Sequence, residues 1–542
     1  MSFFRFGLRF STFAAAVAIT SCAATTTPAP QDTASSTVDV ETSKPVADGP
    51  VANTAYGQVR GKLEEGVNVF LGIPYGADTR NTRFQRANKP EPWSDVLDAD
   101  AYPDSTLQIT GNTAFFKSWQ PDPVPPHSEN PLGLNVWTPG LDAKKRPVMV
   151  WLHGGGFENG NGSSTAYEGV NLANRGDVVV VTINHRLNAM GYLYLAELEG
   201  GEAYPDSGNV GNLDMIMALE WVRDNIANFG GNPENVTIFG ESGGGRKVST
   251  LVAMPEAEGL IDRAIVQSGS HLKIRTAEQA TKDSVEFLSR LGLEPNELDK
   301  LGDVPSEAFE DALKKGRIYF GPVMDGRNMA AHPWDPSAPA TAMDVPMLIG
   351  NNDDEASIFL FADPRVWKVD YDGIAPFLAP YGLEQDPQAI VDGYRELFPD
   401  ESPTELLFTI VSDLRYGHNA VIQARLKSEQ GGAPVWLYLF DWQTPIAGGK
   451  LKTPHALEIP FAFDTLENSE SMVGDPAAAQ DVADQVSEAW ISFARHGNPN
   501  ARGLPYWPQY DGRSSPVMRF NSVSEVETGY FEGERAILEA GQ

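Results

Sequence analysis

Short apolar runs rich in β-branched residues recur along this chain, and each stops at glycine or at a polar cluster. Val148-Met149-Val150-Trp151-Leu152, Val236-Thr237-Ile238-Phe239, Val345-Pro346-Met347-Leu348-Ile349 and the stretch from Val435 to Trp442 are of this kind. Such runs, about four to eight residues long, read as strands buried on both faces. Between them lie stretches with helical spacing. Met215, Ala218, Leu219, Val222 and Ile226 fall on one helical face,. Helices are also predicted from Ser242 to about Ala253 and from Glu405 to Lys427. Strands alternating with helices predict an α/β fold with a mostly parallel central sheet covered on both faces. No internal repeat interrupts the pattern.

The Val236 run ends in Gly240-Glu241-Ser242-Gly243-Gly244. A serine at a strand-to-helix junction sits on a sharp turn, and small neighbours are needed because backbones come close there. The turn lifts the hydroxyl out of the sheet, and the following helix start offers unpaired N–H groups to developing negative charge. This is the nucleophile elbow of an α/β-hydrolase fold. The Val148 run ends similarly, in His153-Gly154-Gly155-Gly156-Phe157. Acyl transfer puts charge on a carbonyl oxygen, so donors must be aimed at it beforehand. Gly155 and Gly156 are candidate oxyanion donors, with the Gly243 N–H as the third. No Gly-Lys-Ser or Gly-Lys-Thr follows, which excludes a phosphate-binding loop of that type.

An acid and a base are then required. The third run leads into Asn351-Asn352-Asp353-Asp354-Glu355, where position does not choose among the three acids. The chain holds eight histidines, and in this fold the order is serine, acid, histidine,. Only His418, His455 and His496 lie beyond Glu355. His418 falls inside a helical stretch and His496 at the end of another. His455 follows the strand from Val435 in a loop, where this fold carries its base.

At this point the chain resembles the type B carboxylesterases, the family of cholinesterases and bacterial para-nitrobenzyl esterases. The resemblance runs from about Thr54 to Phe520. It is carried by Phe70 to Tyr75, Ser128-Glu129-Asn130, Leu134 to Pro139, His153 to Phe157, Asn209 to Asp214, Trp221 to Pro233, Arg263 to Ser270 and Gly321 to Gly326. The elbow, the Asp353-Asp354-Glu355 loop and Phe493 to Pro499 also fit. The resemblance implies a Ser242, Glu355, His455 triad, with Ser268 at a supporting position near the base. It implies a serine carboxylic ester hydrolase acting on a small-molecule ester through an acyl-enzyme, without cofactor or metal. The same triad also serves amide, carbamate or thioester bonds. A non-catalytic cholinesterase-like binding or adhesion module is the reading from a different class. Such members lack the nucleophile, acid and base that this chain retains.

Departures from the family pattern carry expectations of their own. Pro131 stands where a disulfide cysteine is usual, so the Ser128-Glu129 loop is expected to be unpinned. Gly243 replaces the usual alanine, which keeps the N–H but loosens the turn. Arg246 and Lys247 enter the first turns of the nucleophile helix and are expected to pair with acids, Glu241 and Asp214 among them, because buried unpaired charge is costly. Trp119 and Phe157 are expected to pack rather than bind.

Length alone, 542 residues, suggests about three domains. The motifs that must converge run from residue 153 to residue 455 with no Pro/Ser-rich linker between them. One domain over residues 51–542 is therefore expected, with large insertions forming the pocket. Ala99 to Pro126, Asp325 to Asp344 and Phe359 to Pro399 are candidates. At the N-terminus, Arg5 and Arg9 precede a short apolar run that ends in Ser21-Cys22, the chain's sole cysteine. Residues 1–21 read as a lipoprotein signal peptide with Cys22 as the lipid attachment site. Residues 22–50, rich in Thr, Ala, Pro and Ser, read as a flexible tether. This places the protein on the bacterial cell envelope, held to a membrane by its lipid at the outer membrane or facing the periplasm. Without lipidation the segment is a plain signal peptide of a secreted protein. The formal charge of −32 argues against nucleic-acid partners. Oligomeric state is left open by the sequence.

Overall fold

The computed structural model describes residues 49–109 and 114–540. The signal segment, Cys22 and the tether up to residue 48 lie outside the described residues. The fold is organised by an eleven-stranded sheet. Its strands are β1 (Lys62–Glu64), β2 (Val67–Pro74), β3 (Gly133–Thr138), β4 (Arg146–Leu152), β5 (Val179–Ile183) and β6 (Gly231–Glu241). They continue with β7 (Arg263–Gln267), β8 (Met347–Asn352), β9 (Val435–Phe440), β10 (Val517–Phe520) and β11 (Glu525–Glu527). The spatial order is β11-β10-β9-β8-β7-β6-β4-β5-β3-β2-β1. Pairing is parallel from β5 through β10. It is antiparallel where β3, β2 and β1 are added at one edge and β11 at the other.

Every residue of β4, β5, β8 and β9 is buried. Polar alternation disappears because successive side chains point to opposite faces and both faces are covered. Val148, Val150, Leu152 and Ile238 pack on one side with α1 (Val210–Asn225) and α2 (Gly243–Val252). Met149, Trp151 and Phe239 pack on the other, in one core with Val486, Trp490 and Phe493 of the long helix Pro476–His496. Trp119 and Phe157 are buried in apolar clusters, as expected of packing residues.

The structure corrects the sequence reading in three places. The predicted helix from Glu405 to Lys427 is two helices, α3 (Pro403–Ser412) and α4 (His418–Gln430), joined by a π-turn at Asp413–Gly417. A π-turn lodges one extra residue in the helix, and such turns gather at functional sites. Second, the Ser128-Glu129 loop is pinned without a disulfide. Both Glu129 carboxylate oxygens accept from Arg83 at 2.6 Å, and Arg83 also donates to the carbonyls of Leu301 and Val304. Third, Lys247 does not pair with an acid. Its Nζ donates to the His153 carbonyl at 2.8 Å, and burial pushes its pKa well down. Asp214 is taken by Arg186 at 2.6 Å. Among the described residues no helix is long and apolar enough to cross a membrane.

Candidate active site

β6 ends at Glu241, α2 begins at Gly243, and Ser242 between them has φ 55° and ψ −117°. Such a backbone costs a non-glycine residue roughly 1–3 kcal/mol unless its surroundings hold it. Here the Ser242 N–H donates to Gln267 O at 2.9 Å, and its carbonyl accepts from Arg246 N at 3.0 Å. The elbow predicted from the strand–glycine–helix pattern is therefore formed.

The glycine loop after β4 lies directly against it. Gly155 and Gly156 have φ of 86° and 66°, a region where a side chain is strained. A Cβ placed on Gly243 would fall 2.2 Å from Gly156 O and 2.3 Å from Gly156 N. The two backbones that carry the candidate donors thus touch. Gly243→Ala is expected to displace Gly156 and lower kcat about 100-fold, since an ångström of misplacement has that order of cost. Unchanged steady-state kinetics would show that the loop yields freely.

His455 follows β9, and its Nδ1 lies 2.5 Å from Glu355 Oε2. The other Glu355 oxygen accepts from Asn352 N at 2.9 Å. Asp354 instead accepts from Thr453 N at 3.3 Å and faces Lys452 at 3.8 Å. Burial raises the Asp353 carboxyl well above its usual range, and neighbouring Asp354 raises it further. Of the three adjacent acids, Glu355 alone touches His455. His418 lies in α4, 3.4 Å from Glu539, and His496 closes its helix. The rings of Tyr416 and Phe359 pack against the His455 ring with centroids at 4.8 and 5.1 Å.

Nε2 of His455 lies 3.0 Å from Glu241 Oε1 without hydrogen-bond alignment, and no hydrogen bond joins it to Ser242 Oγ. Burial pushes the Glu241 carboxyl well up, and Glu458 and Glu355 push it further. Ser268 donates its N–H to Gly350 O at 2.8 Å, and its buried hydroxyl has no partner among the described residues. The sequence offered Glu241 only as a partner for Arg246 or Lys247 and gave Glu458 no role, although Glu241 adjoins the serine and Glu458 follows His455 by three residues. Tyr416 had no signal, because the π-turn that places it breaks the helical period.

Glu458 accepts from Asn352 Nδ2 at 2.8 Å and Gln267 Nε2 at 3.2 Å. Burial, then the Glu355 charge, raises its pKa from 4.5 to about 7. A carboxyl whose folded pKa is raised holds its proton more tightly folded than unfolded. Its contribution is full at low pH and is lost as pH rises from 4.5 through about 7, on the order of 3 kcal/mol,. Glu458→Gln should therefore flatten the fall in Tm between pH 5 and pH 8. Parallel curves for the two proteins would sink that account.

A parallel sheet with antiparallel edges, a strained serine between strand and helix, and an imidazole–carboxylate pair on the loops after later strands together define an α/β-hydrolase fold. Comparison with known proteins narrows this. The model of the carboxylesterase family matches residues 48–537. Para-nitrobenzyl esterase of Bacillus subtilis is 36% identical over 495 residues, covering 88% of this chain and 96% of that protein. Phenmedipham hydrolase of Pseudarthrobacter oxydans is 32% identical over 488 residues, 86% of this chain and 94% of that one. The solved carboxylesterase EST55 of Geobacillus stearothermophilus superposes with a TM-score of 0.81 at 36% identity, covering 90% of this chain and 100% of that chain. The chain belongs to the carboxylesterase family and is a carboxylic ester hydrolase.

Proposed function

We propose that Ser242 is the nucleophile of a two-step acyl transfer on small-molecule esters, with His455 as its base and Glu355 as the orienting acid. The observation that carries this is the 2.5 Å contact between His455 Nδ1 and Glu355 Oε2. A carboxylate on Nδ1 fixes the tautomer that leaves Nε2 free to accept a proton. His455 takes the Ser242 proton as Oγ attacks the ester carbonyl. The N–H groups of Gly155, Gly156 and Gly243 receive the oxyanion. The alcohol leaves with the proton from His455, and water repeats the attack on the acyl-enzyme. Glu241, neutral when protonated, can stand beside Nε2 without holding it as an ion pair would. Substrate entry then hands Nε2 to the serine, since such contacts often close only in the complex.

Labelling with a fluorophosphonate followed by peptide mass spectrometry tests the nucleophile, with modification expected on Ser242 alone. Label on another serine, or none on active protein, would overturn the assignment. Ethyl esters of increasing acyl length would then size the acyl pocket.

We also propose that the mature protein begins at a lipidated Cys22 and is held on the bacterial cell envelope. The lipobox-like end of the apolar run supports this. Incorporation of labelled palmitate, lost in Cys22→Ser, is the expected result, and an unlabelled secreted wild type would refute it.

A further inference from the structure

A cavity of about 790 Å³ lies beside the triad, with Arg246, Arg415 and Arg425 in its wall. They come from three elements: the first turns of α2, the π-turn, and α4. Along α4 the cavity-lining positions His418, Ile422 and Arg425 repeat at helical spacing, so one whole face of that helix looks into the space,. Among the described residues, no carboxylate comes within 4.0 Å of any of the three guanidinium groups. The two acids of the wall are engaged elsewhere. Asp335 faces Lys273 at 3.7 Å, and Glu539 faces His418 at 3.4 Å and Arg535 at 3.8 Å. Three cations without an ion pair share this wall in a chain of net charge −32, with Glu355 acting on Arg415 and Glu241 and Glu158 on Arg246 only at longer range.

The cavity is joined to the catalytic groups by contact. Arg415 stacks over the Phe359 ring at 4.4 Å, and that ring packs on His455. Tyr416, also in the wall, packs on His455 from a second direction. A Cβ on Gly269 of the wall would fall 2.5 Å from the Ser242 carbonyl oxygen. Ser268 and Ser270 belong to the same wall, and both have buried hydroxyls without a partner among the described residues. Guanidinium groups match carboxylates by paired, charge-assisted hydrogen bonds. Like charges lining one cavity favour the entry of an anion.

We infer that this cavity receives a free carboxylate carried by the substrate, so that the enzyme prefers half-esters of dicarboxylic acids to neutral esters. The inference rests on the Ser242 reading for its position beside the reaction. Arg246, Arg415 and Arg425 act as specificity-determining residues. They hold the distal carboxylate while the ester end reaches the elbow.

The test compares monoethyl glutarate with ethyl pentanoate, followed by pH-stat titration on the wild type, Arg246→Gln, Arg425→Gln and Arg425→Lys. The kcat/KM ratio of charged to neutral ester should exceed 10 in the wild type and fall at least tenfold in each Gln variant, mainly through KM. Arg425→Lys should keep part of it, and rising salt should erode it in the wild type. In parallel, calorimetry of glutarate with Ser242→Ala should show binding that weakens at least tenfold when Arg246→Gln is added. A ratio near one in the wild type, or one unmoved by the Arg variants, overturns the inference while the esterase stands. Glutarate binding without any kinetic preference also overturns it, leaving a product site only. Failure to hydrolyse either ester overturns the esterase reading instead, and the calorimetry still decides the cavity.

Discussion

Ser242→Ala is expected to abolish ester hydrolysis, with kcat falling by about 10⁵ to 10⁶, the scale seen when a serine hydrolase loses its nucleophile. The size follows from the chemistry. Without Oγ there is no acyl-enzyme, and what remains is substrate binding beside an oxyanion site. The substitution should leave folding intact. Ser242 is held by its backbone, through Gln267 O and Arg246 N, and its side chain carries no hydrogen bond the fold needs. Alanine keeps the Cβ, so the φ of 55° is no more strained than before. The check is kcat on an activated ester together with Tm and far-UV circular dichroism. Hydrolysis by the folded variant within tenfold of the wild type would require another nucleophile.

Glu355→Gln is the second large effect, a loss of about 10⁴ in kcat, because an amide in that place favours the wrong imidazole tautomer. Asp353→Asn and Asp354→Asn should cost less than tenfold. Both acids have raised pKa values, Asp354 to about 7, so an amide replaces a side chain already biased toward neutrality. Neither touches His455. The three variants are read together as a ranking. If Asp353→Asn or Asp354→Asn proved the most damaging, the pairing at His455 Nδ1 would not be the one used in turnover.

Much of this architecture was legible in the chain. The parallel core strands were readable because a strand buried on both faces has no polar alternation, and Val148 to Leu152 shows none. The elbow was readable because a buried strand runs through Gly240-Glu241-Ser242-Gly243 directly into a helical stretch. The acid was not readable from residues alone. Three carboxyls stand in a row, and what separates them is a contact with His455, which lies 100 residues away. The family resemblance supplied that choice, and in the structure Glu355 is the acid in contact with His455 Nδ1. Lys247 misled for a physical reason. A buried lysine was expected to find a carboxylate, but a backbone carbonyl suffices once burial has weakened its hold on the proton. The pairing of Arg83 with Glu129 was equally hidden, because nothing in either local sequence points to the other.

The π-turn at Asp413–Gly417 gives the pocket an unusual kind of adjustability. One extra residue in a helix rotates everything after it by about 100°. Removing a single residue from this turn would carry His418, Ile422 and Arg425 off the cavity wall together, and would also turn Ala420, Val421 and Ala424 out of the core, so that their positions would have to be refilled. A change of charged substrate preference by one in-frame codon would therefore come with substitutions on the core face of the same helix. Length variation at this turn among related genes would then track the charge of the acids that those enzymes release.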